Sequence, residues 1–312
     1  MGFPARAVGA RAVKLNVGET EQAVPPKDLL IGLGVIAIWA FNIIVIKLGL
    51  VELPPLLITL LRFMLVALLI VPFTRISWRQ LRWILLLAAT FGGLHFPLLF
   101  LGLQQAEAGT GALLAQMGTP FATILAAIFL KERLSPRRVV GLVLAFGGVV
   151  VLAGGPSLPP PSSTALLLAS AFFWAVSTMI IKLAPPIAPL TMTGWLSMFA
   201  VPLVGLGSLA FESGQWQALQ NAGWAGWGAV VYTAVMSSIA AYGLWYWLLQ
   251  KHPVSRVVPL TLLMPVFAVI LGVWLLDDPL GINKITGGAM VIAGLAVINI
   301  RFRRSHRKES SA

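Results

Sequence analysis

Apolar runs of about twenty residues follow one another along this chain with short polar breaks between them. Ten can be counted, centred near Val35, Val66, Phe91, Ile124, Phe146, Phe172, Ala200, Ala234, Phe267 and Ile292. A run of about twenty residues is what a helix needs to cross the hydrocarbon core of a bilayer. None of the ten carries the charged face of a soluble amphipathic helix. Lipid offers the backbone no hydrogen-bond partners, so such segments must be helices rather than open sheet. The pattern predicts an all-α polytopic membrane protein with ten transmembrane helices.

Composition adds one exclusion. With 58% hydrophobic and 10% charged residues in 312, no length is left for a separate soluble domain. The net charge of +12 does not point to nucleic acid, because the basic residues are not massed on one face with stacking aromatics. They sit between the apolar runs, and unevenly. Assigning alternate loops to alternate sides puts Arg6, Arg11, Lys14 and Lys27 on one side with Arg75, Arg79 and Arg82. Lys131, Arg133, Arg137, Arg138, Lys182, Lys251, Arg256 and the terminal run from Arg301 to Lys308 fall on the same side. The other side holds Lys47 and Lys284. Basic residues that flank spans stay in the cytoplasm, so both termini are expected inside, which requires an even number of crossings. Residues 1–27 read as a flexible cytoplasmic tail without the features of a secretory signal, and 302–312 as a basic tail. Cysteine is absent, which excludes disulfides and thiolate metal sites and leaves the redox compartment open.

The two halves of the chain resemble each other. Trp39-Ala40 with Lys47 in the first span is echoed by Trp174-Ala175 with Lys182 in the sixth. The fourth span reads Gln116-Met117-Gly118-Thr119-Pro120 and ends at Glu132; the ninth reads Thr261-Leu262-Leu263-Met264-Pro265 and ends at Asp277, with equal separation of proline and acid. Gly141 and Gly148 in the fifth span match Gly287 and Gly294 in the tenth. Five spans per unit is an odd number, so the second unit is expected to enter the membrane from the opposite face, as two inverted five-helix repeats. Such repeats recur in secondary transporters, with the solute held near the midplane where they meet. The expected units are residues 28–153 and 163–301, joined by a Pro/Ser linker at 154–162.

Arg62-Phe63 in the second span, the proline-containing fourth span ending in Lys131-Glu132-Arg133-Leu134, and the glycine-rich fifth span resemble the EamA-type branch of the drug/metabolite transporter superfamily. The resemblance runs over about residues 28–301 and looks most like the bacterial amino-acid and metabolite exporters, the YddG-like aromatic amino-acid exporters among them. It implies ten helices with cytoplasmic termini in a bacterial inner membrane. It also implies a central cavity formed by spans one to four and six to nine, and export as the direction. Asp277-Asp278-Pro279 departs from the usual pattern at the end of the ninth span.

Ionisable residues at bilayer depth are costly and face a cavity or a partner. Two lie well inside the runs, Arg62 and His95. Arg62 reads either as a counter-charge for a solute carboxylate or as a structural arginine holding carbonyls. His95 reads as cavity-lining, as a titrating group, or as a donor to a backbone carbonyl. Uncharged polar residues fall in stripes: Gln116, Thr119, Pro120 and Thr123 share one helical face, and Ser238, Tyr242 and Tyr246 another. Trp39 with Asn42, and Trp174 with Ser177 and Thr178, place an aromatic beside a hydrogen-bonding group in corresponding spans. These twelve residues besides the prolines and Thr123 are the candidate solute contacts, against helix packing or an interfacial belt. Pro120 and Pro265 are the candidate kinks for gating.

No metal-ligand cluster, catalytic triad or phosphate-binding glycine loop is legible, and no cofactor is implied. The pattern favours a secondary transporter working by alternating access; with the export direction that the resemblance implies, the expected cargo is amino acids, aromatic or other neutral ones included, and related small metabolites. With no acid at mid-span, efflux is expected to be facilitated or weakly coupled. Efflux of drug-like or quaternary cations is the alternative within transport; a lipid scramblase or intramembrane enzyme is the alternative outside it. The expected partners are a small solute and the bilayer; monomer or homodimer is left open.

Overall fold

The computed structural model describes residues 24–103, 114–132, 134–152, 160–276 and 280–299. Residues 1–23 of the amino-terminal tail, the whole carboxyl-terminal tail, Glu107, Arg133, Asp277, Asp278 and most of the expected linker lie outside the described residues, as does the side chain of Lys47.

All regular elements among the described residues are helical. Helix α1 is Pro26–Gly49, and α2 is Pro55–Ile70 with a 3-10 turn at Val71–Phe73. Helix α3 runs from Trp78–Leu87 through a π-helical stretch, Ala88–His95, into Phe96–Leu103. Then come α4 (Gly118–Phe129), α5 (Pro136–Leu152), α6 (Pro161–Leu183), α7 (Pro189–Phe211) and the short α8 (Gln215–Asn221). Helix α9 has the same three-part build as α3: Trp224–Tyr232, a π-helical Thr233–Tyr242, then Gly243–Lys251. Helix α10 opens with Val254–Val257, tightens to a 3-10 stretch at Val258–Leu263 and continues as Met264–Leu276; α11 is Ile282–Asn299. Seven helices, α1, α2, α3, α6, α7, α9 and α10, contain stretches long and apolar enough to cross a membrane. At the fourth, fifth and tenth expected spans the described helices α4, α5 and α11 are shorter.

Proline marks the starts. Pro26, Pro55 and Pro161 each take the first helical position behind another proline, Pro25, Pro54 or Pro160, held extended. The missing N–H costs nothing there, because the first N–H groups of a helix have no intrahelical partner. Other first-turn donors are met by carboxylates from distant helices. Glu212, at the end of α7, accepts from Leu56 N (2.6 Å) and Leu57 N (3.1 Å) of α2. Glu52, after α1, accepts from Gly223 N (2.9 Å) and Gly226 N (2.5 Å) at the start of α9. Glu132, after α4, accepts from Val254 N (2.9 Å) and Ser255 N (3.0 Å) at the start of α10. Each acid thus sits on the positive end of a helix dipole and joins two helix ends at once.

Packing follows a paired scheme. Helix α2 packs on α7 and α5 on α11; α6 packs on α3 and α4, and α1 packs on α9 and α10. The α5–α11 contact is antiparallel and glycine-lined. A Cβ built on Gly141 would lie 2.7 Å from Gly294 O, and one on Gly148 would lie 2.7 Å from Gly287 O. Small residues let the two backbones touch, as close helix pairs in lipid require. The main core lies among α1, α2, α3, α6, α7 and α9, with Ile36, Phe63, Leu196 and Trp245 fully or almost fully buried.

Two outcomes follow for the purified protein in detergent. Glu212→Ala removes the cap on α2 and should lower stability by about 1 kcal/mol, within the usual range of about 0.5–2 for a lost cap. Gly294→Leu must displace Ala145 N and Gly141 O, each 2.5 Å from a Cβ at that position, and should cost about 1–3 kcal/mol or more as overpacking. Thermal unfolding of both variants against the parent protein measures this.

Candidate functional site

Lipid-spanning helices satisfy their own backbone, so chemistry must come from side chains or from places where the helix is interrupted. Both occur here, and they occur together.

The side-chain cluster is built around Arg62 on α2, which is only 4% exposed. Its guanidinium carbon lies 4.8 Å from the Phe96 ring centroid and 5.8 Å from that of Tyr242. Tyr242 in turn packs on Trp39 (4.6 Å between centroids), Phe91 (5.3 Å) and Tyr246 (5.8 Å). Phe91 stacks on His95 at 5.3 Å, and Phe63 meets Phe96 at 5.8 Å. An arginine from α2 is therefore flanked by aromatic rings from α2, α3 and α9, with Trp39 of α1 behind Tyr242. Cation–π attraction offsets part of the desolvation of the guanidinium. It does not supply hydrogen bonds: Nε and Nη2 of Arg62 are buried without a hydrogen-bond partner among the described residues. The same holds for Nε1 of Trp39 and Oδ1 of Asn42, two residues on one face of α1.

His95 is tied down more firmly. Its Nδ1 lies 3.0 Å from Ser170 Oγ and 3.1 Å from Ser170 O, and Ser170 Oγ donates to His95 O at 2.9 Å. The imidazole thus bridges α3 to α6 while its ring lines one wall of the aromatic cluster.

The interruptions lie in α4 and α10. Pro120 and Pro265 have no N–H to give to the carbonyls of Gln116 and Thr261, four residues back. In α10 the six residues before Met264 are 3-10 helical, and a turn at Gln116-Met117 precedes α4. The two breaks meet. Thr119 Oγ1 lies 2.9 Å from Thr261 Oγ1, and the Gln116 amide approaches Thr261 O at 3.5 Å. Trp174 on α6 packs against Gly118, where an added Cβ would stand 2.9 Å from its ring.

Of the residues singled out in the sequence, the structure brings Trp39, Arg62, His95, Tyr242 and Tyr246 into one cluster, with Asn42 one turn along α1 from Trp39. Gln116 and Thr119 form the α4–α10 contact, with Trp174 beside it. Three hydroxyls are taken up by other bonds: Ser177 Oγ lies within hydrogen-bond distance of Phe173 O (2.8 Å) and Thr90 Oγ1 (2.9 Å), Thr178 Oγ1 donates to Trp174 O, and Ser238 Oγ to Thr233 O. Phe91 and Phe96 pack in the aromatic cluster, Ser170 bonds His95 and Thr261 is in the α4–α10 contact, and none of the four was among the sequence candidates. Thr261 had a signal, its place four residues before Pro265. Surface hollows of about 580 Å³ (flanked by Leu61, Met64, Leu65 and Trp227) and about 690 Å³ (flanked by Trp78, Arg79, Arg82 and Trp83) are lined by none of these residues. Among the described residues no group of His, Cys, Asp and Glu could hold a metal ion.

At the basic end of the bundle, helix ends are laced together. Asp28 at the start of α1 pairs with Lys251 Nζ (2.8 Å) and His252 Nε2 (2.7 Å) at the end of α9. Lys182 at the end of α6 donates to Leu249 O (2.8 Å) and His252 O (2.7 Å).

The α4–α10 contact is measurable as a coupling. Thr119→Val and Thr261→Val should each lower stability, and the double variant should lose less than the sum. The interaction energy is expected at about 0.5–1.5 kcal/mol, as for side-chain hydrogen bonds between helices in lipid. A double-mutant thermal unfolding cycle measures it.

The sequence pattern of the EamA-like transporter family matches residues 27–154 and 162–300. A protein of Salmonella typhimurium named as a probable amino-acid metabolite efflux pump is 31% identical over 293 residues, covering 90% of this chain and 98% of that protein. Its Escherichia coli namesake is 29% identical over 291 residues, covering 89% of this chain and 97% of that protein. A solved crystal structure superposes with a TM-score of 0.71 at 22% identity, over 88% of this chain and 96% of the other, which supports the fold alone.

Proposed function

The chain belongs to the EamA-like transporter family, and from that premise we propose that it exports amino acids and related small metabolites by alternating access. It is a multi-pass membrane protein, with a small solute as its cargo. The observation that carries the reading is the arginine with two unpaired N–H groups inside an aromatic enclosure at span depth. A buried donor without an acceptor costs about 1–3 kcal/mol, more when charged. A carboxylate takes two parallel N–H bonds from one guanidinium, and aromatic walls suit an apolar or aromatic side chain. The relatives' names support amino acids and their metabolites as the cargo class.

In this proposal the chain holds ten spans in two inverted five-helix repeats, in a bacterial inner membrane with both termini inside. The paired packing supports it: exchanging α1 with α6, α2 with α7, α3 with α9, α4 with α10 and α5 with α11 converts each principal contact into another of the set. So does the shared π-helical middle of α3 and α9. Cation efflux is the weaker reading, because Arg62 would repel a cation from the enclosure. Transport is facilitated or weakly coupled, since no carboxylate is among the residues of the cluster.

In proteoliposomes loaded with an unlabelled panel of L-alanine, L-leucine, L-threonine and L-phenylalanine, the protein should drive counterflow of at least one labelled member. A pH gradient should change the rate by less than about threefold, and Arg62→Gln should abolish counterflow. Obligatory acceleration by protons would overturn the coupling, and a phospholipid flip rate raised without any solute flux would favour a scramblase.

The Asp28 ion pair is the proposed inner latch. Because the chain has no cysteine, a single cysteine at Tyr246 reports access without background. Asp28→Asn should speed its reaction with a membrane-impermeant thiol reagent from the basic side by about fivefold or more, the factor expected from about 1 kcal/mol of lost ion pairing.

A further inference from the structure

Resting on the export reading above, the buried polar atoms without partners carry more information than a single positive charge. Among the described residues, those on α1 and α2 are three donors and one acceptor: Nε and Nη2 of Arg62, Nε1 of Trp39, and Oδ1 of Asn42. Arg62 is 4% exposed, Trp39 8% and Asn42 8%. Trp39 and Asn42 are three residues apart on α1 and so lie on one face, about one turn apart along the axis. The Trp39 ring touches Tyr242, which is also the ring beside the guanidinium. Arg62 and Trp39 therefore meet at one ring, that of Tyr242, and Asn42 lies about one turn along the same face of α1 from Trp39.

We propose that this set is a bipolar subsite for the backbone of a free α-amino acid, with Arg62 and Trp39 taking the carboxylate and Asn42 taking the ammonium. A carboxylate presents enough lone pairs to accept from both guanidinium N–H groups and from the indole N–H at once. An ammonium presents three N–H donors, one of which pairs Asn42 Oδ1. The solute's side chain then faces the rings of Phe91, Phe96 and Tyr246. Other classes leave something unpaired. A simple carboxylic acid satisfies the donors and strands the Asn42 oxygen. An amine satisfies the oxygen and strands three donors, one group of them charged. A phosphate ester meets the donors and sets its own oxygens against the Asn42 acceptor. A site built to bond a polar group rejects the analogue that lacks it far more strongly than an apolar pocket rejects a missing methylene. Asn42 and Trp39 are thus specificity-determining residues, and neither is needed to neutralise charge.

The test uses the full-length protein in proteoliposomes with labelled L-phenylalanine or L-leucine as tracer. Competitors are the same amino acids, their deamino acids (3-phenylpropanoate, 4-methylpentanoate) and their decarboxylated amines (phenethylamine, isoamylamine). Both truncated classes should compete at least about tenfold more weakly than the parent amino acid, the factor expected for one lost hydrogen bond to a charged group. Asn42→Leu should weaken the amino acid by about tenfold while leaving the deamino acid unchanged or tighter, so that the two converge. If the deamino acids compete as well as the amino acids on the unmodified protein, the bipolar subsite is wrong while the exporter reading stands. If neither tracer exchanges and no member of the amino-acid panel does, the exporter reading itself fails and takes the subsite with it. The competition on the unmodified protein decides the matter even if Asn42→Leu does not fold.

Discussion

Burying a guanidinium among aromatic rings without meeting all of its hydrogen bonds is the constraint around which this structure is arranged. A structural arginine in a helix bundle reaches carbonyls or an acid; Arg62 leaves Nε and Nη2 unpaired. Ring faces at 4.8 and 5.8 Å reduce the electrostatic cost, and the Tyr242 hydroxyl hydrogen-bonds the guanidinium, yet Nε and Nη2 are left without an acceptor among the described residues. The bundle therefore holds a strained group in place with rigid neighbours. Phe63 and Phe96 pack edge to face beneath it, and the bonds between His95 and Ser170 fix the π-helical part of α3 that carries the enclosing rings. Strain of this sort persists where surrounding structure over-determines it, and it is retained where it serves recognition.

Movement needs the opposite property, and the chain locates it elsewhere. Pro120 lies near the start of α4 and Pro265 inside α10, and neither has an N–H for the carbonyl four residues back. The local backbone takes up those carbonyls, Gln116 O from Thr119 N and Thr261 O from Met264 N, and the side chains of Gln116, Thr119 and Thr261 join the two breaks. A contact of a few weak hydrogen bonds between interrupted helices is easily exchanged for another. By contrast, the glycine-lined antiparallel contact of α5 and α11 brings backbone against backbone over two places seven residues apart and has little room to slide. In the proposed mechanism the first pair works as the moving element and the second as the frame. The carboxylates Glu52, Glu132 and Glu212 pin helix ends to one another.

Much of this was legible from residues alone, for definite physical reasons. Lipid imposes length and composition on a span, so helices α1, α2 and α6 could be placed from their apolar runs. Pro120 and Pro265 announced breaks because proline cannot donate. Arg62, Trp39 and Tyr242 stood out because charged or amphipathic residues at depth need a reason. Phe91 and Phe96 did not, because a phenylalanine facing lipid and one facing an enclosure have the same sequence signature. The hydroxyls of Ser177, Thr178 and Ser238 were ambiguous for a related reason: each can bond a carbonyl of its own helix, and in the fold each does. The π-helical stretches of α3 and α9 depend on tertiary packing and left no local mark. The acids at span ends read as ordinary loop residues; only the fold revealed that each caps a helix far away in the chain.

The central claim is that Arg62 is kept for the solute and not for the bundle, and one melting experiment separates the two. Thermal unfolding of the purified protein and of Arg62→Met, near in volume and apolar, is to be compared with and without millimolar L-phenylalanine and L-leucine. On this account Arg62→Met melts at or above the temperature of the parent protein when no amino acid is present, because replacing a poorly paired buried charge by a packed apolar side chain is neutral or stabilising. The parent protein alone gains stability when amino acid is added. A variant that melts far below its parent and is still stabilised by amino acid would contradict the account and make Arg62 a structural residue.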